Sequence, residues 1–581
     1  MNNFFRWPSW RSSPTPRLHR RPPVVIRGGD AIAKRSYSCG QTNFFRLLQH
    51  DAVPLEFWFR PEVALNAPPI LVHEWLATGR AITAELPCTQ HEGHYHLWLP
   101  TEQCGVHRFK IKYQIGRQWY WDRMPYAYYV VDPVTIPDLR IYTLIPTASG
   151  HMGEWRRDLP RLRTLGFNMI HLLPITTMDT SESPYAVRDH FAIDPAYVDP
   201  KDRATAWSQL DRFLSEARQM GFKLAVDLVI NHVGIESPIV AHHPTWCAED
   251  ADEADGIRRS GWSDGRAWHK WHDLALLDYD LPDQRERTAL WHYMTEYGLL
   301  WSRLAAKNEG MIRLDNLHSS HEGFTEHLLC AIRSEHPDLI LFGEIFADPP
   351  VVERLVLKYG LHLILATPWE HKFLPELRGY IQDLHRADQK VRYYFPISSH
   401  DSGSPAQEFG DVISTLPRLV ISTLLGPGPS GVTQGVEFGL EKRIDFIGRK
   451  GRLHLAHHAE IARLLTALNH LTSSSRSFHI PGNLRFIDGN HRAIIGAARL
   501  NDGGNVAYLI FANLDIYHAH QLAVDLTALP GLDTPCQFRD VLSGETVASH
   551  PPQLPVPLDP GDVWILEVLR ARQDSNLRPQ A

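Results

Sequence analysis

Between residues 137 and 480 eight short apolar runs recur, each followed by a stretch of helical periodicity: Leu139–Leu144, Asn168–Ile175, Lys223–Ile230, Met311–Leu317, Leu339–Phe346, His362–Ala366, Arg392–Ile397 and Gly431–Phe438. Runs this short and continuous read as parallel strands buried on both faces, each needing a helix to carry the chain back to the next. Eight such units predict an α/β fold, a closed (β/α)8 TIM barrel. One intervening helix is legible in detail: Trp207, Leu210, Phe213, Leu214, Ala217 and Met220 share a face at 3.6 spacing, and Gly221 stops it. The barrel is expected over 136–480. A polar insertion rich in Trp and His follows its third strand at about 233–290, on the face where barrel active sites lie.

On either side the texture alternates. Over 41–135, stretches such as Leu55–Phe59, His94–Leu99 and Val106–Tyr113 are rich in aromatics with period two, which predicts an N-terminal β-sandwich. Its aromatics read first as sandwich core and strand surface, and second as faces for stacking on sugar rings. Over 481–570, Ala493–Leu500 and Asn505–Ala512 flank the turn Asn501–Gly504, and Val563–Val568 ends a C-terminal antiparallel β-domain. Residues 571–581 read as a frayed tail.

Composition sets limits on this architecture. With 43% hydrophobic and 22% charged residues, the chain is neither disordered nor a disulfide scaffold. No apolar run approaches the roughly 20 residues needed to span a bilayer, so no membrane partner is expected. Cys39, Cys88, Cys104, Cys247, Cys330 and Cys536 include no CxxC pair, which argues against a disulfide framework or a structural zinc site and fits a reducing, cytoplasmic location. A net charge of −7 offers no basic face for nucleic acid. The exception is residues 1–36, where seven Arg and one Lys oppose one Asp, +7 against −14 for the remainder. Without the apolar segment of a secretory signal, residues 1–40 read as a basic, disordered tail, ahead of a targeting peptide, an anionic contact or an over-long start.

Four strand ends carry the chemistry: Asp227–His232, Gly310–His318, Phe342–Glu344 and Phe395–Asp401. Any one of these polar groups is as well explained by a helix cap or a satisfied rim residue. Together, at the C-terminal ends of strands of one barrel, they point to an active site. Arg313 and Asp315, two residues apart, project from the same side of their strand, so the guanidinium is expected to keep Asp315 ionised. Glu344 follows an apolar run, where desolvation is expected to keep it protonated. One ionised and one protonated carboxyl make a glycosidase pair, about 5–5.5 Å apart in a retaining enzyme. Asp401 is then a third carboxylate, placed to grip substrate hydroxyls.

These motifs resemble the α-amylase superfamily, glycoside hydrolase family 13, over nearly the whole chain from about residue 41. The resemblance implies that Asp315 is the nucleophile, Glu344 the acid/base, Asp401 the transition-state stabiliser and Arg313 the partner of the nucleophile. His232 and His400 match the family's ligands to substrate hydroxyls, and Asp227 and Asn231 its structural rim residues. Ser183–Asp189 looks like the segment whose tyrosine stacks under the reacting sugar, a role that falls to Tyr185. Ser399 stands where the family usually has Asn. The run Leu314-Asp-Asn-Leu-His318 with Gly166–His171 is similar to the glucanotransferase part of glycogen-debranching enzymes, whereas the domain order and Glu344–Pro349 with Thr367-Pro-Trp369 are similar to α-1,4-glucan maltosyltransferases. Those enzymes, however, depart from the pair that this chain keeps at Asn231-His232.

The expected substrate is an α-glucan or malto-oligosaccharide. Hydrolysis and transglycosylation share the glycosyl-enzyme, and acceptor sites decide between them. Trp246, Trp262, Trp268, Trp271 and Trp369 are candidates to stack acceptor sugars, each competing with a role in local packing; His318 is a further candidate contact. The favoured reading is 4-α-glucanotransferase, with α-amylase-type hydrolysis, maltosyl transfer and a non-catalytic carbohydrate-binding relative as alternatives. Retention of Asp315, Glu344 and Asp401 together favours catalysis. A zinc enzyme is disfavoured, because His232, His318 and His400 come from different strands and carboxylates account for the chemistry. No cofactor is expected; calcium is an option of the family, since Asn231 matches a ligand in amylases, but its usual partners are not identifiable. No feature speaks to oligomeric state.

Overall fold

The computed structural model describes residues 24–26, 44–57, 59, 64–76, 79–91, 93–122, 125–263, 268–388, 390–532, 536–549 and 552–569. Apart from the strand Val24–Ile26, the expected tails lie outside these residues. The chain divides into two compact units between Val134 and Thr135.

The second unit is built on eight parallel strands: β1 (Arg140–Leu144), β2 (Met169–Leu172), β3 (Lys223–Leu228), β4 (Met311–Leu314), β5 (Ile340–Gly343), β6 (Leu363–Leu365), β7 (Tyr393–Tyr394) and β8 (Ser430–Thr433). They pair in chain order, and β8 returns to pair with β1. Between β7 and β8 the barrel is drawn together by the Phe395 N–H on Pro429 O at 2.8 Å and the Ile397 N–H on Gly431 O at 3.4 Å. Only the first residues of β3 and β7 escape full burial, which is why the strands read as unbroken apolar runs. At least one helix lies between each strand and the next, and one follows β8; among them are α1 (Met152–Thr164), α2 (Ala206–Gln219), α3 (Gln284–Lys307), α4 (Glu322–Glu335), α5 (Pro349–Tyr359), α6 (Leu374–Ala387), α7 (Thr415–Val420) and α8 (Ala459–Ser474).

Every expected run overlaps its strand, β8 starting one residue early at Ser430, and all but Leu139–Leu144 continue past the C-terminal end of the strand into the rim. In β4 the strand ends at Leu314, and Asn316 adopts a left-handed turn at φ 45°, ψ 45°. Just before β4 a side chain on Gly310 would place its Cβ 1.8 Å from Leu224 O, so β3 and β4 approach here only with glycine. In α2 the Thr205 side chain caps the first turn, and Leu210, Phe213, Leu214 and Ala217 are buried. Met220 departs from the expected face: it falls after the last helical residue and is exposed, while Gly221 takes φ 81°.

After β3 the chain makes a three-stranded antiparallel excursion, His232–Gly234, Trp268–Leu276 and Arg259–Ser263, that ends where α3 begins at Gln284, earlier than expected. Beyond α8 a six-stranded antiparallel sheet includes Ile494–Leu500 and Val506–Asn513, joined at Asn501–Gly504 with Gly504 at φ 73°. Arg499 ties this sheet to the barrel, donating to Leu424 O and Gly426 O, each at 2.8 Å.

The first unit carries two sheets. One orders Val24–Ile26, Pro54–Phe57, His94–Trp98 and Thr89–His91; the other runs from Phe44–Leu48 through Ala127–Asp132, Gly105–Ile115 and Ala67–Trp75 to Ile82–Pro87. Residues of both share one cluster, including Leu55, Phe57, Leu71, Phe109 and Tyr129. Trp98, Trp119 and Trp121 are exposed instead. Among the described residues no helix is long and apolar enough to cross a membrane.

Candidate active site at the C-terminal rim of the barrel

The ends of β2, β3, β4 and β5 deliver His171, Asp227, Arg313 and Asp315, and Glu344 to one point, because neighbouring parallel strands in register send alternate residues the same way. Arg313, at the end of β4, is the hub. Its Nη1 donates to Asp227 Oδ1 at 2.7 Å and to Asp315 Oδ1 at 3.2 Å, and its Nη2 lies 2.5 Å from Glu344 Oε1. All four side chains are buried or nearly so. The left-handed turn at Asn316 aims its main-chain N–H at Glu344 Oε2, 2.9 Å away, so the loop behind Asp315 also holds Glu344.

Tyr185 links this group to the loop after β7. Its hydroxyl lies 3.0 Å from Asp227 Oδ2 and 2.7 Å from His400 Nε2. One phenolic hydrogen serves the carboxylate, so His400 donates to the phenol oxygen. The two rings stack at 5.5 Å and 7°, and His400 Nε2 is also 3.0 Å from Asp401 Oδ2. Asp401 is the open carboxylate of the site, with 55% of its side chain accessible. Ser399, in the place of the family's Asn, builds the turn: its Oγ accepts from the N–H groups of Asp401 and Ser402, each at 3.1 Å. Arg443 donates to the main-chain oxygen of Asp401.

The charges correct one expectation. Burial opposes ionisation of Asp227, but Arg313 and His171 overcome it and hold that carboxyl well below the usual range. Asp315, the more distant of the two from Nη1, is pushed well above its ordinary value by burial and by Glu344, with Arg313 opposing. The carboxylate that Arg313 keeps ionised is therefore Asp227, not Asp315. Asp401 is raised as well, because protein crowds it closely enough to desolvate it although its carboxylate faces solvent. Burial lowers His232 to about 4 and His400 to about 3, so both rings are neutral at pH 7.

The remaining candidates divide. His232 is buried, with Nδ1 3.4 Å from Ser260 Oγ and its ring 6.1 Å from that of Trp271. His318 lies edge-on to Phe346 on the loop after β4. Asn231 donates to Ser260 Oγ at 3.3 Å. Among the described residues no group of three or more His, Cys, Asp or Glu side chains is arranged to hold a metal ion. Trp369 is not a stacking surface: it is 8% exposed and packs with Ile141, Met169, Phe342 and Tyr394 in the barrel core. Trp246 is likewise buried, donating to Glu286 Oε2 at 2.9 Å. Trp262 and Trp268 are exposed on the excursion. The sequence reading missed His171 and Asn316 as members of the site; a histidine inside the buried run Met169–Leu172 is the signal that marked the first.

Residues 132–252 match the family described as glycogen debranching enzyme, glucanotransferase domain. Over 464 residues the chain is 23% identical to the α-1,4-glucan:maltose-1-phosphate maltosyltransferase of Arcanobacterium haemolyticum, an alignment covering 70% of this chain and 64% of the relative. The chain thus spans just under two thirds of that relative's length. Among solved structures, the α-amylase of Geobacillus thermoleovorans complexed with acarbose superposes with a TM-score of 0.59 at 17% identity, covering 75% of this chain and 99% of that one. A cyclomaltodextrinase gives 0.61 at 15% identity, covering 92% and 99%. The barrel, its rim of carboxylates around one arginine and these relatives agree: the chain is similar to the α-amylase superfamily, glycoside hydrolase family 13.

Proposed function

We propose that this protein is a retaining α-glucan-active glycosidase that transfers α-1,4-linked glucan segments, a 4-α-glucanotransferase. The observation that carries the reading is Arg313 spanning Asp227, Asp315 and Glu344, with Asp401 open beside them. Asp315 attacks the anomeric carbon while Glu344 protonates the departing glycosidic oxygen, leaving a glycosyl ester on Asp315. Glu344 then takes a proton from the incoming hydroxyl, which displaces Asp315. The pair needs one proton between two carboxyls, and the mutual repulsion of Asp315 and Glu344 in a buried site favours that state. Sugar in the site draws Glu344 away from Arg313 towards the glycosidic oxygen, and Asp315 is left as the carboxylate beside Nη1. Asp401 and the neutral His232 and His400 bind substrate hydroxyls, Tyr185 packs beneath the reacting sugar, and His318 lines the acceptor side.

The domains of this reading are an N-terminal β-sandwich at 41–135, the catalytic barrel at 136–480 and a β-domain at 481–570. Its setting is storage-glucan remodelling in the cytoplasm, with malto-oligosaccharide as the partner and neither nucleic acid nor membrane involved. The maltosyltransferase relatives, of which that of Arcanobacterium haemolyticum aligns over 70% of the chain, support a second reading in which the donor is maltose-1-phosphate.

Incubation with maltoheptaose, with and without maltose-1-phosphate, separates these readings by product length. Longer and shorter chains appearing together with little new reducing end support glucan transfer. Net shortening means hydrolysis, elongation only with the phosphate donor means maltosyl transfer, and an inert mixture removes the enzymatic reading.

A further inference from the structure

Beneath the carboxylates lies a histidine to which the mechanism above gives no role. His171 is the polar residue of the buried strand Met-Ile-His-Leu of β2. Its register partners are Thr143 on β1 and Ala225 on β3, and Asp227 lies two residues beyond Ala225, on the same side of β3. Nδ1 of His171 is 3.2 Å from the Thr143 hydroxyl, and Nε2 is 3.4 Å from Asp227 Oδ2. Nε2 is buried and, apart from this 3.4 Å approach to the carboxylate, meets no polar partner at hydrogen-bonding geometry. A leucine would fill this place without burying a ring nitrogen, so packing alone does not account for the histidine.

We propose that His171 is a positioning residue that fixes Asp227, and through it sets Arg313 against Asp315 and Glu344. The proposal rests on the glucan-transfer reading of this site. Arg313 is one cation facing three carboxylates, and its orientation decides how its charge is divided among them. Asp227 anchors Nη1 through Oδ1, but a carboxylate held on one oxygen swings. Its Oδ2 is held from the opposite side by Tyr185 and by His171. With both oxygens held, Nη1 stays at Asp227 and Nη2 faces Glu344.

Two variants test this in the full-length protein with maltoheptaose. H171L removes the donor; H171Q keeps a neutral one and also serves if H171L does not fold. The expected result for H171L is a kcat lower by about 10- to 100-fold with KM changed less than about twofold. H171Q recovers most of that kcat, because its amide keeps a donor at the same place. A wild-type kcat in H171L, or an H171Q that folds but recovers none of the kcat, overturns the proposal. If the wild-type protein is inert on maltoheptaose, the glucan reading fails separately, and a double-mutant cycle of H171Q with D227N on Tm decides the contact. Non-additive losses uphold it and additive losses overturn it.

Discussion

Arg313 donates to Asp227 at 2.7 Å where both side chains are all but sealed from water, whereas its bond to Asp315 is 3.2 Å long. The arginine beside Asp315 is thus anchored by a different carboxylate one strand away. Asp227→Asn takes the charge from the tightest of the guanidinium's buried pairs and leaves it to Asp315 and Glu344 alone. We expect a stability loss of about 3 kcal/mol by denaturant unfolding together with a severe loss of turnover. A variant as stable and active as wild type removes Asp227 as the anchor.

Asp315→Asn is expected to abolish turnover of any α-glucan, by roughly 10⁴-fold, while the fold persists. The pH dependence of stability carries a sign. Asp315 is raised above its unfolded value, so between the two values the folded state binds the proton more tightly and stability falls as pH rises through that window. Unfolding midpoints measured across pH should therefore decline with rising pH more in wild type than in Asp315→Asn. An equal or opposite slope contradicts the assignment.

His73 and His107, 2.9 Å apart in the first unit, point the other way. Burial lowers them to about 4 and about 3, with His107 stacked on Tyr129 at 4.7 Å. A histidine depressed on folding stabilises the native state fully above its unfolded value near 6.5 and loses that contribution as pH falls through its folded value. Stability should fall between about pH 6.5 and 3, by about 3 kcal/mol per ring at the acid end. Chemical denaturation at stepped pH checks this, and His107→Gln should flatten the profile.

Arg499 is fully buried with three hydrogen bonds of 2.8 Å, to Leu424 O, Gly426 O and Asn483 Oδ1. Arg499→Leu leaves those acceptors unpaired and should cost roughly 3–5 kcal/mol. Turnover per folded molecule should not change, because the residue is remote from the carboxylates in sequence and bonding. A loss of specific activity greater than the loss of folded protein contradicts this separation.

The tryptophans should split by burial. Trp369→Ala empties a core position and should destabilise by about 3–5 kcal/mol without raising KM for acceptor. Trp262→Ala, at an exposed site, should leave stability within about 0.5 kcal/mol and raise that KM if the excursion binds sugar. An unchanged KM for Trp262→Ala removes the excursion's Trp262 from the acceptor side.

The barrel was legible because its signals are local. An apolar run such as Lys223–Ile230, a capped amphipathic helix such as Ala206–Gln219 and a turn such as Asn501–Gly504 each follow from neighbours in the chain, through strand burial, helical period and backbone preference. The strand-end motifs also placed Asp227, Arg313, Asp315, Glu344 and Asp401 on one rim, since parallel strands share a polarity. How charge is divided among them was decided by tertiary structure alone. It depends on which oxygen stands nearest Nη1, on the left-handed turn at Asn316 that feeds an N–H to Glu344, and on the burial that raises Asp315. The same holds for Trp369, a residue type suited equally to a sugar platform and to a core, whose role only its surroundings define. Patterns along a chain report periodicity and polarity; distances of tenths of an ångström between groups far apart in sequence arise only when the strands close.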